Sequence, residues 1–217
     1  MADTSSREGK TYFDPEVLSW VARVHAPHDE ALERAFDAPA RAGMPAIQVG
    51  PSEGKLLALL LRMVGAKKVV EVGTLAGYSA VRMARALPED GHLWTIDADE
   101  AHARVARDVV AAAGLSAKVD VLVGRGADVL PTLEARGPFC AVFVDADKES
   151  YDVYGRWAAR NVRRGGLLLG DNAFLFGKLL GGDARAEAMQ RFHRVAAEAF
   201  DSVCVPTPDG LVVGIKR

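Results

Sequence analysis

The sequence predicts an α/β fold in which a mostly parallel sheet of seven strands carries helices on both faces and ends in an antiparallel hairpin. From Lys67 onward, short apolar runs alternate with Ala-rich amphipathic segments, which is the pattern of βα units. Two later runs, SVCVPT and GLVVGIK, flank the turn sequence Pro208-Asp209-Gly210, so a hairpin is expected there. The five earlier runs are KVVEVG, HLWTID, KVDVLVG, FCAVFVD and GLLLGD.

The segment before the first strand predicts helices instead. Asp14-Pro15-Glu16 combines an N-cap, a proline at the first helical position and an acid in the first turn, all of which favour a helix start. Glycine after an apolar helical run, as at Gly65, ends a helix well. We therefore expect three helices, from Asp14 to His25, over residues 29–40, and from Ser52 to about Gly65.

The remaining helices are expected between the strands, near residues 77–87, 100–113, 126–135, 149–162 and 184–198. A chain of 217 residues that is 49% hydrophobic has the length and balance of one domain with a sizeable core. No repeat or linker interrupts it. The expected organisation is a single domain, 1–217, with a helical extension over 1–65, of which the polar residues 1–13 are expected to be mobile, and an α/β core over 66–217.

Charge and composition limit the classes of partner that this protein is expected to bind. The formal net charge is −2, and the basic residues are dispersed, which argues against nucleic acid and anionic membranes and favours a small-molecule substrate. No apolar stretch approaches the roughly twenty residues of a membrane span, and the polar N-terminus does not resemble a signal peptide. Cys140 and Cys204 lie in apolar runs, where reduced thiols are expected. A cytoplasmic protein is the expectation.

The first two strands end in residues suited to a nucleoside ligand. Glu71 to Ser79 places Gly73 and Gly77 at a strand-to-helix turn, where a ligand can approach the backbone closely. The turn lacks the G-x-G-x-x-G spacing that cradles a dinucleotide pyrophosphate. Asp97, at the end of the next strand, is placed to accept hydrogen bonds from both ribose hydroxyls. Alternatively, the glycines only form a tight turn and Asp97 only caps a helix.

The fourth and fifth strands end in a set of hard oxygen donors. Asp145 follows one strand, Asp171 and Asn172 follow its expected neighbour, and carboxylate and amide oxygens suit Mg²⁺ or Ca²⁺ better than zinc. Lys148 lies three residues beyond Asp145, where burial and a cation would favour a neutral amine able to take a proton. Read separately, these segments are ordinary turns and caps, and Lys148 pairs with Asp147 or another surface acid.

Other reactive residues give no comparable pattern. The five histidines are scattered without metal-binding spacing, and Ser79 does not lie in a G-x-S-x-G turn, so acyl transfer is disfavoured.

Four motifs occur together and in order: EVGTLAGYS, TIDAD, FVDADK and GDN. On these motifs the chain, from about Met44 to its C-terminus, resembles the cation-dependent O-methyltransferases, which include the caffeoyl-CoA and catechol O-methyltransferases. The resemblance implies a class I methyltransferase, Rossmann-like fold, S-adenosylmethionine (SAM) as methyl donor, and Mg²⁺, or Ca²⁺ or Mn²⁺, bridging the enzyme to two adjacent substrate hydroxyls.

The resemblance also implies roles for individual residues. Lys148 would be the general base, with Asp145 and Asn172 beside it in the catalytic centre. The metal ligands would be Asp145, Asp171 and Asn172. The cofactor residues would be Glu71, Gly73, Ser79 and Asp97, together with Val49, Ala127, Asp145 and Asp147.

Departures from the family pattern bear on the substrate. The plant caffeoyl-CoA enzymes have a Trp-Asn pair after GDN, where this chain has AFLFGKLLGG, which disfavours a coenzyme A ester. The helical extension is similar to that of bacterial members acting on natural-product phenols, so a small catechol is expected, framed by the N-terminal helices and the loop from Phe174 to Gly182. These elements could also make a homodimer contact. A non-catalytic SAM-binding homologue and an NAD-dependent oxidoreductase are the alternatives.

Overall fold

A computed structural model describes residues 4–217. The predicted mobile segment, residues 1–13, includes residues 1–3, which lie outside the described residues. Thr4–Arg7 form a one-turn helix, α1, that the sequence did not indicate. None of the helices among the described residues combines the length and apolar character needed to cross a bilayer.

The three predicted N-terminal helices are present: α2 (Pro15–His25), α3 (Glu30–Arg41) and α4 (Pro51–Met63). Local capping explains where they begin. Asp14 Oδ1 accepts hydrogen bonds from the backbone of Glu16 at 2.8 Å and Val17 at 3.2 Å, and Asp29 caps α3 in the same way. Before α4, the Glu53 carboxylate accepts from Gly50 N at 2.8 Å.

The α/β core alternates as the sequence predicts. Its strands are β1 (Lys68–Val72), β2 (His92–Asp97), β3 (Val119–Val123), β4 (Phe139–Val144), β5 (Val162–Gly170), β6 (Phe200–Val205) and β7 (Leu211–Lys216). Its helices are α5 (Tyr78–Ala84), α6 (Glu100–Ala112), α7 (Gly126–Leu133), α8 (Tyr151–Asn161) and α9 (Ala184–Ala199).

These strands form one sheet in the order β3-β2-β1-β4-β5-β7-β6. The first five are parallel, whereas β7 is antiparallel to both β5 and β6, so the predicted fold class is confirmed. Because the strand order reverses between β1 and β4, a crevice opens beyond their carboxyl ends, where open α/β sheets bind ligands.

The two faces of the sheet bury alternate side chains of the same strands. Val70 and Val142 pack with Trp157 and Phe192 of α8 and α9 on one face. Val69 and Phe143 pack on the other face, against α4 and α5. Burial of both faces explains why the parallel strands are almost continuously apolar.

The largest boundary difference from the sequence prediction is at the start of β5. β5 begins at Val162, so it includes the polar Arg163 and Arg164 that precede the predicted GLLLGD run. Its pairing with β4 shifts register between Phe139 and Ala141, and Gly165 has a φ of 71° at this irregularity. The extra length depends on pairing with β4, which local residue preferences do not encode.

Candidate active site

A cavity of about 430 Å³ lies beyond the carboxyl ends of the parallel strands. Most of the site residues named from the sequence line it: Val49, Gly73, Ser79, Asp97, Asp145, Asp147, Lys148 and Asn172. Glu71 and Asp171 are buried, and Ala127 packs against the core, so these three do not line the cavity. The structure therefore brings both predicted halves of the site into one cavity.

The β1 turn and the end of β4 meet at Gly73. Its φ of 101° lies in the region that favours glycine, and a Cβ on this residue would be 1.8 Å from the Asp145 carbonyl oxygen. The backbone bond from Asp145 N to Val72 O, at 2.8 Å, holds the two segments together. Only glycine can therefore occupy this position.

Asp97 holds the same turn from the neighbouring strand. Its Oδ2 accepts from Thr74 N at 3.2 Å and Leu75 N at 2.7 Å, and its Oδ1 accepts from Asp99 N at 2.9 Å. Asp99, not Asp97, caps α6. The simple capping alternative for Asp97 is therefore wrong, because this carboxylate organises the turn while lining the cavity.

Glu71 lies directly beneath the turn and is fully buried. Its Oε2 accepts from Thr95 Oγ1 at 2.6 Å, whereas its Oε1 has no hydrogen-bond partner among the described residues. Burial raises the pKa of Glu71 to about 8, against the smaller lowering effect of the Ser79 and Thr95 hydroxyls. A buried acceptor with spare capacity, below a cradle that a Cβ would fill, fits a ligand that carries an ammonium group and no phosphate.

The predicted metal ligands follow adjacent strands. β4 and β5 are paired with Val144 opposite Gly170, so Asp145 and Asp171 come next at the same edge. Burial, and then the negative charge of Asp145, raises the pKa of Asp171 to about 7. Asn172 adopts a φ of 52°, a strained conformation that places it on the cavity wall.

The chemistry of these donors fits a hard divalent cation. Two carboxylates lie close together at this edge of the sheet, where a further positive charge would offset their mutual repulsion, and the amide adds a third oxygen. Nowhere in residues 4–217 do three or more His, Cys, Asp or Glu side chains form a cluster suited to a metal. The predicted ligand set contains only two carboxylates, Asp145 and Asp171, so its third oxygen must come from the Asn172 amide.

Lys148 is held in place by a residue that the sequence reasoning missed. Its Nζ donates to Asp145 Oδ1 at 3.2 Å and to the Tyr151 hydroxyl at 2.9 Å, while the lysine side chain is 14% exposed. The buried Tyr151 hydroxyl donates in turn to the Asp171 carbonyl at 2.9 Å. Asp147 instead accepts from Tyr154, so the proposed surface pair with Lys148 is not formed. The one sequence feature that could have identified Tyr151 is its position three residues after Lys148.

Other cavity residues carried weak sequence signals. Gln48, Tyr78, His102 and Phe176 also line the cavity. Tyr78 lies within the motif EVGTLAGYS and Phe176 lies four residues after GDN, but nothing in their local pattern distinguishes them from packing residues.

Comparison with known proteins identifies the family. The profile described as O-methyltransferase matches residues 23–216. The chain belongs to this O-methyltransferase family. The predicted family and enzyme class are therefore confirmed.

Relatives of this O-methyltransferase match it over nearly their whole length. It is 43% identical to a catechol O-methyltransferase of Niastella koreensis over 87% of this chain and 86% of the relative. It is 38% identical to a catechol O-methyltransferase of Mycobacterium tuberculosis, over 94% and 96%. A crystal structure of the O-methyltransferase from Bacillus cereus in complex with SAH superposes with a TM-score of 0.89 at 33% identity, covering 93% of this chain and 97% of that one.

The contact at Gly73 can be tested by substitution. We expect Gly73→Ala to lower the free energy of unfolding by several kcal/mol, because the new Cβ would overlap the Asp145 carbonyl. Gly114→Ala is the matched control, since Gly114 also has a positive φ of 71° but meets no atom within 4 Å. It should cost only about 1–2 kcal/mol. Urea unfolding measures both, and equal costs would contradict a rigid contact at Gly73.

The burial of Glu71 predicts a pH effect. Because its folded pKa is about 8 and its ordinary value is 4.5, the folded protein keeps a proton that the unfolded chain releases between these values. Its contribution to stability is therefore complete below pH 4.5 and is lost as the pH rises through about 8. Relative to the ligand-free wild type, Glu71→Gln should gain on the order of a few kcal/mol between pH 5 and 8. A pH-independent difference in urea unfolding would show that Glu71 ionises normally.

Proposed function

We propose that this protein transfers a methyl group from SAM to one hydroxyl of a small catechol with the help of a divalent cation. The observation that carries the proposal is the convergence of Asp145, Asn172 and Lys148 on one cavity, with the buried Asp171 behind them. The catechol O-methyltransferase names of two relatives support the substrate class. The family membership argues against the nicotinamide alternative.

The cofactor residues lie on the β1 side of the cavity. We assign the amino-acid end of SAM to Glu71, Gly73 and Ser79, and the ribose to Asp97. Val49, Ala127, Asp145 and Asp147 complete the set that the resemblance implies; of these four, Ala127 packs against the core and does not line the cavity. When bound, SAM supplies the methyl group, and SAH in the Bacillus cereus structure supports this assignment.

The cation would be held by Asp145, Asp171 and Asn172, with Mg²⁺ as first choice and Ca²⁺ or Mn²⁺ as alternatives. When bound, it would supply positive charge that favours the ionised form of a phenol. Both carboxylates are held in position for the cation, because Asp145 and Asp171 directly follow the paired ends of β4 and β5.

Lys148 is the group that takes the phenolic proton at its Nζ atom. Tyr151 positions this amine, because its hydroxyl accepts from Nζ while donating to the Asp171 carbonyl. The phenol would therefore lose its proton beside the same carboxylates that would hold the cation. A base placed within hydrogen-bond reach of its proton contributes typically about 10²–10⁴-fold to rate.

The N-terminal helices supply a frame for the rest of the substrate. A second pocket, of about 480 Å³, lies between α2 and the start of α4 and has a largely apolar wall. Its wall includes Leu18, Ala22, Pro51 and Pro208, and Pro208 belongs to the loop whose backbone bonds to Ala173 and Phe174. Glu53 also lines this pocket, and its charge contributes to the raised pKa of Asp171. A phenol from natural-product metabolism would carry an apolar substituent suited to this wall.

A homodimer is the proposed assembly. Helix α2 buries none of its residues, and Val17, Trp20 and Val24 form an exposed apolar stripe on it. The free Cys140 and Cys204 agree with a reducing, cytoplasmic location.

Methyl transfer from labelled SAM to catechol, with Mg²⁺ or excess EDTA, tests the proposed activity. We expect turnover that EDTA abolishes and Mg²⁺ restores, and Asp171→Asn should remove it with SAM affinity retained. Turnover that resists EDTA would remove the cation from the mechanism. SAM binding without turnover on any catechol would favour the non-catalytic homologue.

Lys148→Ala should lower kcat by about 10²–10⁴-fold, because the base is lost. Tyr151→Phe should lower kcat by about tenfold, because the amine loses an orienting hydrogen bond worth roughly 1–1.5 kcal/mol. Tyr154→Phe is the matched control, since its hydroxyl bonds Asp147 rather than Lys148. In steady-state kinetics, the effect of Tyr154→Phe should appear in the KM for SAM, because Asp147 is one of the assigned cofactor residues. Full turnover by Lys148→Ala would exclude that residue as the base.

Trp20→Glu should convert the dimer to a monomer, because a charge would replace the most exposed large side chain of the α2 stripe. Light scattering after size exclusion measures the mass. Leu180→Glu is the control, since Leu180 is 91% exposed outside that helix. A wild-type monomer at micromolar concentration, or a dimer that survives Trp20→Glu, would contradict this interface.

A further inference from the structure

A separate cleft of about 440 Å³ lies on the outer side of α4 and α5, where the turn from Pro27 to Asp29 closes one end. Its wall carries four cationic side chains, whereas none of the site residues assigned above lines it. The cations are Lys55 and Arg62 of α4, Arg82 of α5, and Arg85, which directly follows α5 as its C-cap.

Helical spacing explains why these side chains meet. Residues three and four positions apart share one face of a helix. Lys55, Ala58 and Arg62 satisfy that spacing on α4. Arg82 lies in the last turn of α5, and Arg85 and Ala86 follow it at the same spacing, just beyond the end of the helix. Ala58 and Ala86 also line the cleft. Because alanine ends at Cβ, the floor stays open between two rows of long basic side chains.

The charges of the cleft are poorly balanced. Arg85 pairs with Asp29 at 2.7 Å, and Asp29 is the only acidic residue that lines the cleft. Within the part of the chain that the structure describes, Lys55 and Arg62 make no ion pair. Four cations therefore face one carboxylate that is already engaged.

Arg82 is the least expected member of the group, because it is only 6% exposed and has no carboxylate partner among residues 4–217. Its Nε donates to the Tyr78 hydroxyl at 3.0 Å and its Nη2 donates to the Ala26 carbonyl at 3.2 Å, so both partners are neutral. Buried arginines are normally paired, since an unpaired buried charge is costly. A negative charge is missing from this environment.

We propose that this cleft binds a multivalent phosphate-type anion, either inorganic or the phosphate group of an ester. The planar guanidinium fork matches phosphate oxygens in geometry, and Lys55 adds a compact positive charge. The volume of the cleft falls within the range of small-ligand pockets and exceeds what a single chloride ion needs. The proposal does not depend on methyl transfer.

The bound anion would lie close to the SAM turn. Tyr78, which accepts the hydrogen bond from Arg82, also lines the 430 Å³ cavity and directly precedes Ser79. The same hydroxyl lies 2.8 Å from His28 Nε2, which borders the basic cleft. Tyr78 therefore lies between the two pockets, because it lines the cofactor cavity and its hydroxyl contacts two residues that line the basic cleft.

Calorimetric titration of the metal-free, full-length protein with inorganic diphosphate at constant ionic strength tests the proposal. We expect saturable binding, and the double variant Lys55→Ala/Arg62→Ala should weaken it by about tenfold or more. The variant Arg104→Ala/Arg160→Ala removes the same charge from exposed positions on α6 and α8 outside the cleft, and it should change the affinity less than about twofold.

Parallel titrations with inorganic phosphate and ribose 5-phosphate distinguish the two sources of the anion. Preference for the ester would identify a phosphorylated small molecule, whereas preference for diphosphate would identify an inorganic anion. The proposal would be overturned by absence of saturable diphosphate binding, or by equal weakening in both double variants, which would indicate general charge attraction only. The thermal midpoint of each variant establishes that it is folded.

Discussion

The contact between Gly73 and the Asp145 carbonyl is the constraint on which the site depends. It joins the end of β1 to the end of β4, the two central strands between which the strand order reverses. Because the backbones meet where a Cβ would otherwise be, the cofactor turn and the chemical residues lie on opposite sides of one narrow junction. A methyl donor and its acceptor must be placed with similar closeness.

Two buried acidic side chains lie beside this junction, and the protein's own groups do not fully stabilise their charged forms. Glu71 lies below the turn with one oxygen unpartnered, and Asp171 lies behind Asp145 with its pKa raised by burial and by that neighbour. Both are costs for the protein alone that ligands of opposite charge would offset. Arg82, a buried arginine without a carboxylate partner among the described residues, lies on the far side of Tyr78.

The central sheet and helix α2 differ in how far their residues are buried. Two apolar cores clamp both faces of the sheet, so the strand ends that carry the site are fixed. Helix α2, by contrast, is capped well by Asp14 but buries no residue. Its apolar stripe is exposed in the described fold, which is the observation behind the proposed substrate wall and the proposed dimer contact.

Local sequence determined the element order, the helix starts and the residues at the strand ends, because caps, periodicity and turn chemistry act over a few neighbouring residues. Asp14 and the motif residues Gly73, Asp97, Asp145 and Asn172 could all be named this way. The tertiary structure alone decided that Tyr151 orients Lys148, that Glu71 has an unpartnered oxygen, and that β5 begins at Val162. It also decided that two basic helix faces meet around Arg82. These features depend on distances between segments far apart in the chain, which are set by strand pairing and core packing rather than by residue preference.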